Sequence, residues 1–522
     1  VQTQHLVKRN LYKDSVTLMY MSERLAAMAG VRHATLLMGT PANKDILRQA
    51  GLSDSAFDDV QPCDIMVAIG GDSVQSVQAA AAELETLLSG HANAKARGAE
   101  SNQPILHSLA MGVAAAERPV NLAQISVPGQ YAGAEALKAL KLGLHVFLFS
   151  DNVPLDQEVF IKRLARQKGL LVMGPDCGTA IIQGVPLGFA NVVRAGRVGL
   201  VGASGTGLQQ ISCQIHALGG GISHVLGTGS RDLQDEVGGI TMLQALELLG
   251  KDPKTETIVI VSKPPSATVA GKVLDKAISI GKPTVVLFLG LESGSEARVR
   301  SPKVTFASNL SEAAMAAASG PSARTAWTAP DDLSKPFALE LGRRAAGQRY
   351  IRGLYSGGTF CTEALLIWRA QGIGAHSNVR LTGVEPLPDV ARSREHTALD
   401  LGSDEFTVGR PHPMIDYSVR TERLLQEAED PQTALIVMDV VLGYGSHHDP
   451  AGVLAPAIAE ARRRAQRAGR HLAVVTFVCG TDEDPQGLTA QKERLAQAGA
   501  FILPTSTDAA ALAAAALGAP RA

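Results

Sequence analysis

Residues 198–212, VGLVGASGTGLQQIS, and residues 351–365, IRGLYSGGTFCTEAL, are two versions of one phrase. Each is a short apolar run, a turn of Ser, Gly and Thr, and then apolar positions at helical spacing. That order reads as a buried strand feeding a helix. The segments downstream of each phrase repeat as well. The first copy continues through HVLGTGSRDL, TETIVIVSK, KPTVVLFLG and VTFASNLSEAAMAAA. The second continues through ALDLGSDEF, QTALIVMDVV, RHLAVVTFVCG and AFILPTSTDAAALAAA. Strand, turn and helix alternate throughout, the pattern of a doubly wound parallel sheet written twice.

Upstream, ATLLMG (34–39), DIMVAIG (64–70), LAQISVPG (122–129) and LHVFLFS (144–150) read as buried parallel strands. GLLVMGPDCGTAIIQG (169–184) adds a strand and a Gly/Pro loop, and AGAEALKALKLG reads as a helix stopped by Gly143. The Ala- and Glu-rich segment 78–118 reads as inserted helices. The expected fold class is therefore α/β: a Rossmann-like N-terminal domain over 1–194, followed by two flavodoxin-like doubly wound parallel-sheet domains over 195–318 and 346–522. A linker is expected over 319–345, because SGPSARTAWTAPDDLSKP (319–336) is aperiodic.

Composition narrows the function. A chain of 522 residues is too long for one core. With 49 Lys and Arg against 50 Asp and Glu, it lacks the basic field that nucleic acid or an anionic membrane requires. No apolar stretch approaches the roughly 18 residues of a membrane span, and the first residues carry no signal-peptide pattern. The 5 cysteines are scattered without metal-ligand spacing, which points to a reducing cytoplasm and no structural zinc. His447 and His448 adjoin one another without further ligands, so no metal is expected there either.

The two turns carry the most chemistry. The opening N–H groups of a helix lack intrahelical partners and sit at the positive end of its dipole, which suits an oxyanion. Ser204, Gly205, Thr206 and Gly207 in the first copy, and Ser356, Gly357, Gly358 and Thr359 in the second, are the expected phosphate-binding residues. If the carboxyl edges of the two sheets face each other, one phosphate lies between both helix starts. Neither GxxxxGK[ST] nor GxGxxG is present, so this is neither a P-loop nor a dinucleotide fingerprint.

In TVGRPHPMID (407–416), Arg410 offers a bidentate fork and His412 a proton carrier, the two catalytic candidates. LGTGSRDL and LDLGSDEF are equivalent second-strand turns; Arg231 is expected to balance substrate charge, and Asp232 and Asp400 to orient an amide N–H. Lys263, at the strand end in VSKPP, is expected to contact the anion. Ordinary capping and ion pairing is the competing reading for all four. Cys177, in GPDCGT, has no histidine nearby in sequence; with Asp176, Gly178 and Thr179 it reads as the lining of a cofactor pocket.

GPDCGTAIIQGVPLGFANVVRAGRVGLVGASGTG, followed by GTGSRDLQDEVGGITMLQALELL, resembles the alpha subunit of succinyl-CoA synthetase. The second copy resembles the C-terminal domain of that enzyme's beta subunit. Almost the whole chain resembles the FdrA-type acyl-CoA-synthetase-like proteins, through DSVTLM, MGTPANK, FSDNVPL, KGLLVMGPDCGT, EVGGI, VSKPP, GKPTVVLFLG and TVGRPHPMID.

The resemblance implies two helices aimed at a phosphate that the parent family carries on histidine, matched here by Ser204–Gly207 and Ser356–Thr359. It also implies part of a coenzyme A pocket at Val127 and Pro128 in ISVPGQYAG. The chain departs from the parent in LESGSEARVRSPKVTFASN (291–309), which has no histidine, and in having no nucleotide-binding ATP-grasp domain between the copies. FdrA-type proteins are linked to oxamate carbamoyltransfer in allantoin breakdown, together with two other subunits. The implied activity is thus phosphorolysis of oxalurate to oxamate and carbamoyl phosphate. It requires no cofactor, although coenzyme A or another nucleotide stays open for the N-terminal domain. The implied partners are phosphate or carbamoyl phosphate, oxamate-like small molecules and other protein subunits. The rival readings are acyl-CoA synthesis with a nucleotide-binding partner, and a noncatalytic scaffold.

Overall fold

The computed structural model describes residues 2–11, 13, 15–88, 106–291, 301–319, 331–407 and 410–518. The chain divides into two compact units. The first comprises Val1–Ser108 with Asp404–His412. Its strands β1 (Gln2–Lys8), β2 (Val31–Met38) and β3 (Ile65–Gly71) form a sheet of order β1-β3-β2, antiparallel at both pairings. This corrects the sequence reading of 34–39 and 64–70 as parallel strands of a Rossmann-like domain. The central strand β3 is buried on both faces. Leu36, Ile65, Val67 and Ile69 pack under helices Ser15–Ala26 and Val74–Leu88, whereas Met66 meets Leu47, Phe57 and Val60. A continuous apolar run looks the same in either kind of sheet. The edge strand QTQHLVK, which settles the direction, has too little apolar character to announce itself.

The second unit holds three layers of sheet. Strands β4 (Leu122–Ile125), β5 (His145–Leu148) and β6 (Val172–Met173) pair in parallel, with helices Gly129–Lys141 and Leu155–Gln167 between them, which is Rossmann-like. Gly143 stands at φ 78 just past the first of these helices, the left-handed stop its sequence predicts.

The duplicated part gives two seven-stranded sheets. In the first, β7 (Thr179–Ile182), β8 (Val185–Gly188), β9 (Ala195–Ala203), β10 (Ile222–Gly227), β11 (Thr257–Ser262), β12 (Thr284–Phe288) and β13 (Val304–Phe306) take the order β13-β12-β11-β9-β10-β7-β8. In the second, β14 (Tyr350–Tyr355), β15 (His376–Ser377), β16 (Glu385–Pro386), β17 (Thr397–Asp400), β18 (Thr433–Val441), β19 (Ala473–Cys479) and β20 (Phe501–Leu503) take the order β16-β15-β17-β14-β18-β19-β20. Within each copy the strands run β10-β9-β11-β12-β13 and β17-β14-β18-β19-β20, the flavodoxin-like arrangement. Two additions separate the copies. The β7–β8 hairpin joins β10 antiparallel, so the first sheet begins before residue 195, and β15 and β16 extend the second sheet from its insertion.

The expected linker is partly helical: Asp331–Gly342 is a helix despite Pro336. Tertiary burial overrides the proline, because Phe337 and Leu341 are buried and the Phe337 ring packs edge-on to Phe501 at 5.2 Å. Residues 320–330 of that linker, and 89–105 of the inserted segment, lie outside the described residues.

One apolar core runs through both copies, from Leu200 and Ile211 to Phe360, Trp368 and Phe477. At its centre the buried Glu363 carboxylate accepts from the Leu310 N–H at 2.8 Å and the Thr507 hydroxyl at 3.0 Å, tying the two copies together. Burial pushes this carboxyl above the ordinary glutamate range. A second joint holds the Rossmann-like layer to the first copy. The fully buried Lys162 ammonium donates to Glu158 at 2.9 Å, Asp232 at 2.8 Å and the Thr228 carbonyl at 3.1 Å. Removing one member of such a group leaves uncompensated buried charge. Lys162→Met is therefore expected to cost on the order of 3–5 kcal/mol in urea unfolding; a loss below about 1 kcal/mol contradicts this role for the joint.

Candidate functional site

In each copy the first strand, β9 or β14, lies between the second and third strands, so the loop after it opens at the topological switch point. Helices Gly205–Ala217 and Gly358–Ala370 begin there. The shared core brings these two starts into contact. The Ser204 Oγ lies 2.7 Å from the Thr359 Oγ1, with both residues buried. The contact is reciprocal. A Cβ on Gly357 would fall 2.6 Å from the Thr206 Cγ2, and one on Gly207 would fall 3.2 Å from the Thr359 Cγ2. Glycine is required at 357 because a side-chain carbon would push the helix starts apart. It is not required for packing at Gly205, whose Cβ would meet nothing nearer than the Thr179 Oγ1 at 3.5 Å.

Lys263 and Asp400 stand over the second start. A Cβ on Gly358 would fall 2.6 Å from the Asp400 Oδ2 and nearer still to the Lys263 Nζ. Lys263 is half-buried, and no hydrogen bond or ion pair holds its ammonium among the described residues. Asp400 is buried, its backbone fixed by Asn378 at 2.9 Å through both N–H and C=O. Two helix dipoles, a cation and a carboxylate thus meet at one place, which suits a ligand with an oxyanion at one end and an N–H donor at the other.

Other predicted residues are engaged elsewhere. The Asp232 carboxylate is fully buried, bonded to Lys162, and accepts from the Thr241 N–H at 3.2 Å and the Met242 N–H at 2.8 Å. It caps the helix Ile240–Lys251 and is closed to substrate. Arg231 pairs with Glu158 at 2.9 Å and donates to the Val153 carbonyl at 2.6 Å. Both are corrected from substrate contacts to structural groups. Ser356 is corrected as well, because its N–H donates to the Asp439 Oδ1 at 2.7 Å and its hydroxyl to the other oxygen of that carboxylate.

Arg410, exposed, and His412, half-buried, fall in the first compact unit. Val127, Pro128, Asp176, Cys177, Gly178 and Thr179 gather around the carboxyl ends of β4–β6: the Ser150 hydroxyl donates to the Val127 carbonyl, and the Asp176 N–H to the Ser150 carbonyl at 2.9 Å. Pro128 and Asp176 are exposed on this rim, while Cys177 and Thr179 are buried. Burial pushes the Cys177 thiol up to about 12, so it stays protonated at neutral pH, which excludes a thiolate nucleophile.

Asp439 and Arg420 are functional candidates that the sequence reading passed over. Asp439 is a lone carboxylate inside TALIVMDVV, a strand buried at every position. A charge in such a run must have a partner, and that signal was available in the sequence. Arg420, supplied from helix Ser418–Glu429, gives no comparable signal.

Three family models match the chain. Residues 193–290 match the CoA binding domain model, 354–516 match the CoA-ligase model, and 1–104 match the model described as AllF, heavy metal-associated domain. Over 510 residues, 97% of this chain and 97% of the relative, the sequence is 42% identical to YahF of Escherichia coli K12. The chain belongs to the FdrA-type acyl-CoA-synthetase-like family. Within that family setting, shorter likenesses fall on subunits of CoA ligases. One is the ADP-forming sulfoacetate-CoA ligase subunit SauD of Bilophila wadsworthia, 26% identical over 31% of this chain and 55% of that one. Another is the ADP-forming succinate–CoA ligase subunit alpha 1 of Archaeoglobus fulgidus, 28% identical over 42% of this chain and 75% of that one.

The domain description of residues 1–104 names a heavy metal, and the described residues there do not fit one. The first unit offers a single thiol, Cys63, beside Asn10 and an Asp64 carboxylate already held by Arg9 at 2.9 Å. Among the described residues no three His, Cys, Asp or Glu side chains gather as a metal site.

The packing argument has a direct check. Gly357→Ala is expected to cost about 1–3 kcal/mol by denaturant unfolding, through the clash with Thr206. Gly205→Ala should change stability by less than about 1 kcal/mol. Equal effects would contradict the close approach.

Proposed function

We propose that this chain is the phosphate- and carbamoyl-binding subunit of a carbamoyltransferase, converting oxalurate and phosphate to oxamate and carbamoyl phosphate. The observation that supports it most is the meeting of the two helix starts at Ser204 and Thr359, with Lys263 and Asp400 beside Gly358. Phosphate is held by Ser204–Gly207, Gly357–Thr359 and the Lys263 ammonium, which orient one of its oxygens. That oxygen attacks the carbamoyl carbon of oxalurate, the C–N bond to the oxamate nitrogen breaks, and the proton of hydrogen phosphate passes to that nitrogen. Asp400 accepts an N–H of the carbamoyl group. An acyl group has no such donor, so this carboxylate favours carbamoyl over acyl substrates. The roles of Arg410 and His412, a fork for a carboxylate and a proton carrier, stand as a separate part of the proposal within the first unit.

Coenzyme A or another nucleotide, where bound, would be held by the loops carrying Val127, Pro128, Asp176, Gly178 and Thr179. None of these is basic, so loop backbone rather than ion pairs would hold it. The thiol of coenzyme A would supply acyl-acceptor chemistry, which phosphorolysis does not use. The CoA-binding and CoA-ligase matches favour acyl-CoA synthesis as the second reading.

The test is phosphate-dependent oxamate release from oxalurate by the chain with its partner subunits. Lys263→Met is expected to weaken phosphate binding about 10- to 100-fold, the loss of one charge-assisted hydrogen bond. Asp400→Ala should weaken carbamoyl phosphate much more than acetyl phosphate. Acyl-CoA formation with no carbamoyl transfer, or activity indifferent to both changes, would overturn the proposal.

A further inference from the structure

The end of the second strand is built differently in the two copies. Gly202 is level with Gly227 across β9 and β10, and Tyr355 is level with Asp400 across β14 and β17. The repeated phrase sets Gly202 against Tyr355, so Gly227 and Asp400 are counterparts. No side chain fits at Gly227. A Cβ there would fall 2.5 Å from both the Cys177 Sγ and the Thr179 carbonyl oxygen, in the chain entering β7, which flanks β10. In the second copy the flanking strand is β15, which pairs with Thr397 and Ala398 and then stops.

Beyond that point the Asn378 side chain continues the ladder. Its Nδ2 donates to the Asp400 carbonyl and its Oδ1 accepts from the Asp400 N–H, both at 2.9 Å. The carboxamide thus makes the two main-chain bonds of a strand without bringing a strand's own side chains across Asp400. It is held in turn: the Ser403 Oγ accepts from the same Nδ2 at 3.0 Å, and the Ser377 hydroxyl accepts from the Val379 N–H at 3.0 Å, turning the chain away. The Asp400 carboxylate is fixed at one oxygen, its Oδ1 accepting from the Gly402 N–H at 3.0 Å. Its Oδ2 is the oxygen beside Gly358 and Lys263.

We infer that Asn378 is a positioning residue for ligand choice. By gripping both main-chain groups of Asp400 it aims one carboxylate oxygen at the second helix start, where it selects carbamoyl phosphates over acyl phosphates. The insertion that supplies β15 and Asn378 is then a specificity element, and the first copy has the β7–β8 hairpin in its place. This rests on the reading of Asp400 as the contact of a carbamoyl N–H.

The test is calorimetric titration of the full chain with carbamoyl phosphate and with acetyl phosphate. Asn378→Ala is expected to lower the preference for carbamoyl phosphate about tenfold, the worth of one hydrogen bond, and to change acetyl phosphate affinity less than about twofold. In an Asp400→Ala background the same substitution should add nothing, because its effect passes through Asp400. A variant that weakens both ligands alike, keeps the wild-type preference, or shifts it equally without Asp400 overturns the inference. The Gly402 amide, bonded to the Asp400 carboxylate rather than to Asn378, reports the hold without any ligand. Its hydrogen exchange is expected to quicken about tenfold in Asn378→Ala while the rest of β17 stays unchanged. If Asp400→Ala leaves the preference unmoved, the carbamoyl reading fails and ligand selection by Asn378 fails with it; faster Gly402 exchange then still upholds Asn378 as the residue that holds Asp400, and unchanged exchange overturns that too. Should Asn378→Ala not fold, Asn378→Gln, whose carboxamide is displaced by one methylene, is read by the same two measurements.

Discussion

The hydroxyl contact between Ser204 and Thr359 depends on a single apolar core that serves both copies of a duplicated sheet. Each copy alone would present an ordinary strand-to-helix turn, as any parallel α/β unit does. Packed through Phe360 and Trp368, and tied by Glu363 to the Leu310 N–H and the Thr507 hydroxyl, the two turns are held against one another. The dipoles of both helices then act on the same small volume, each favouring a negative charge by up to about 2 kcal/mol where partly buried. Duplication turns a generic feature into a specific one.

Charge is then distributed unevenly over a symmetric frame. The first copy contributes Lys263 just after its third strand, and the second contributes Asp439 in its third strand, balanced by Arg420. Backbone repetition sets where the groups stand; side-chain divergence sets what they prefer. The histidine that the family resemblance implies after GKPTVVLFLG is missing from this chain.

Much of this was legible in the sequence. The repeat VGLVGASGTG and IRGLYSGGTF exposed both doubly wound sheets, and the Gly and Ser content of the turns pointed to the candidate site. Lys263 and Asp400 were legible because each stands at the carboxyl end of a strand, Lys263 after the third strand of the first copy and Asp400 at the end of the second strand of the second. What failed did so for physical reasons. Strands β2 and β3 are apolar runs with no directional signal and β1 is too polar to announce itself, so their antiparallel pairing stayed hidden. Arg231 and Asp232 look like substrate contacts in a loop, but Lys162 and Glu158, some seventy residues earlier, claim them. The helix over 331–342 was masked by Pro336, because only tertiary burial of Phe337 and Leu341 favours it.

Crystals of the full chain soaked in arsenate, with data collected at the arsenic edge, test the shared site most directly. The expected result is an anomalous peak within hydrogen-bonding distance of the Ser204–Gly207 amides, bordered by Thr359 and Lys263. Helix starts found apart, or arsenate bound only elsewhere on the molecule, would contradict a site built from both.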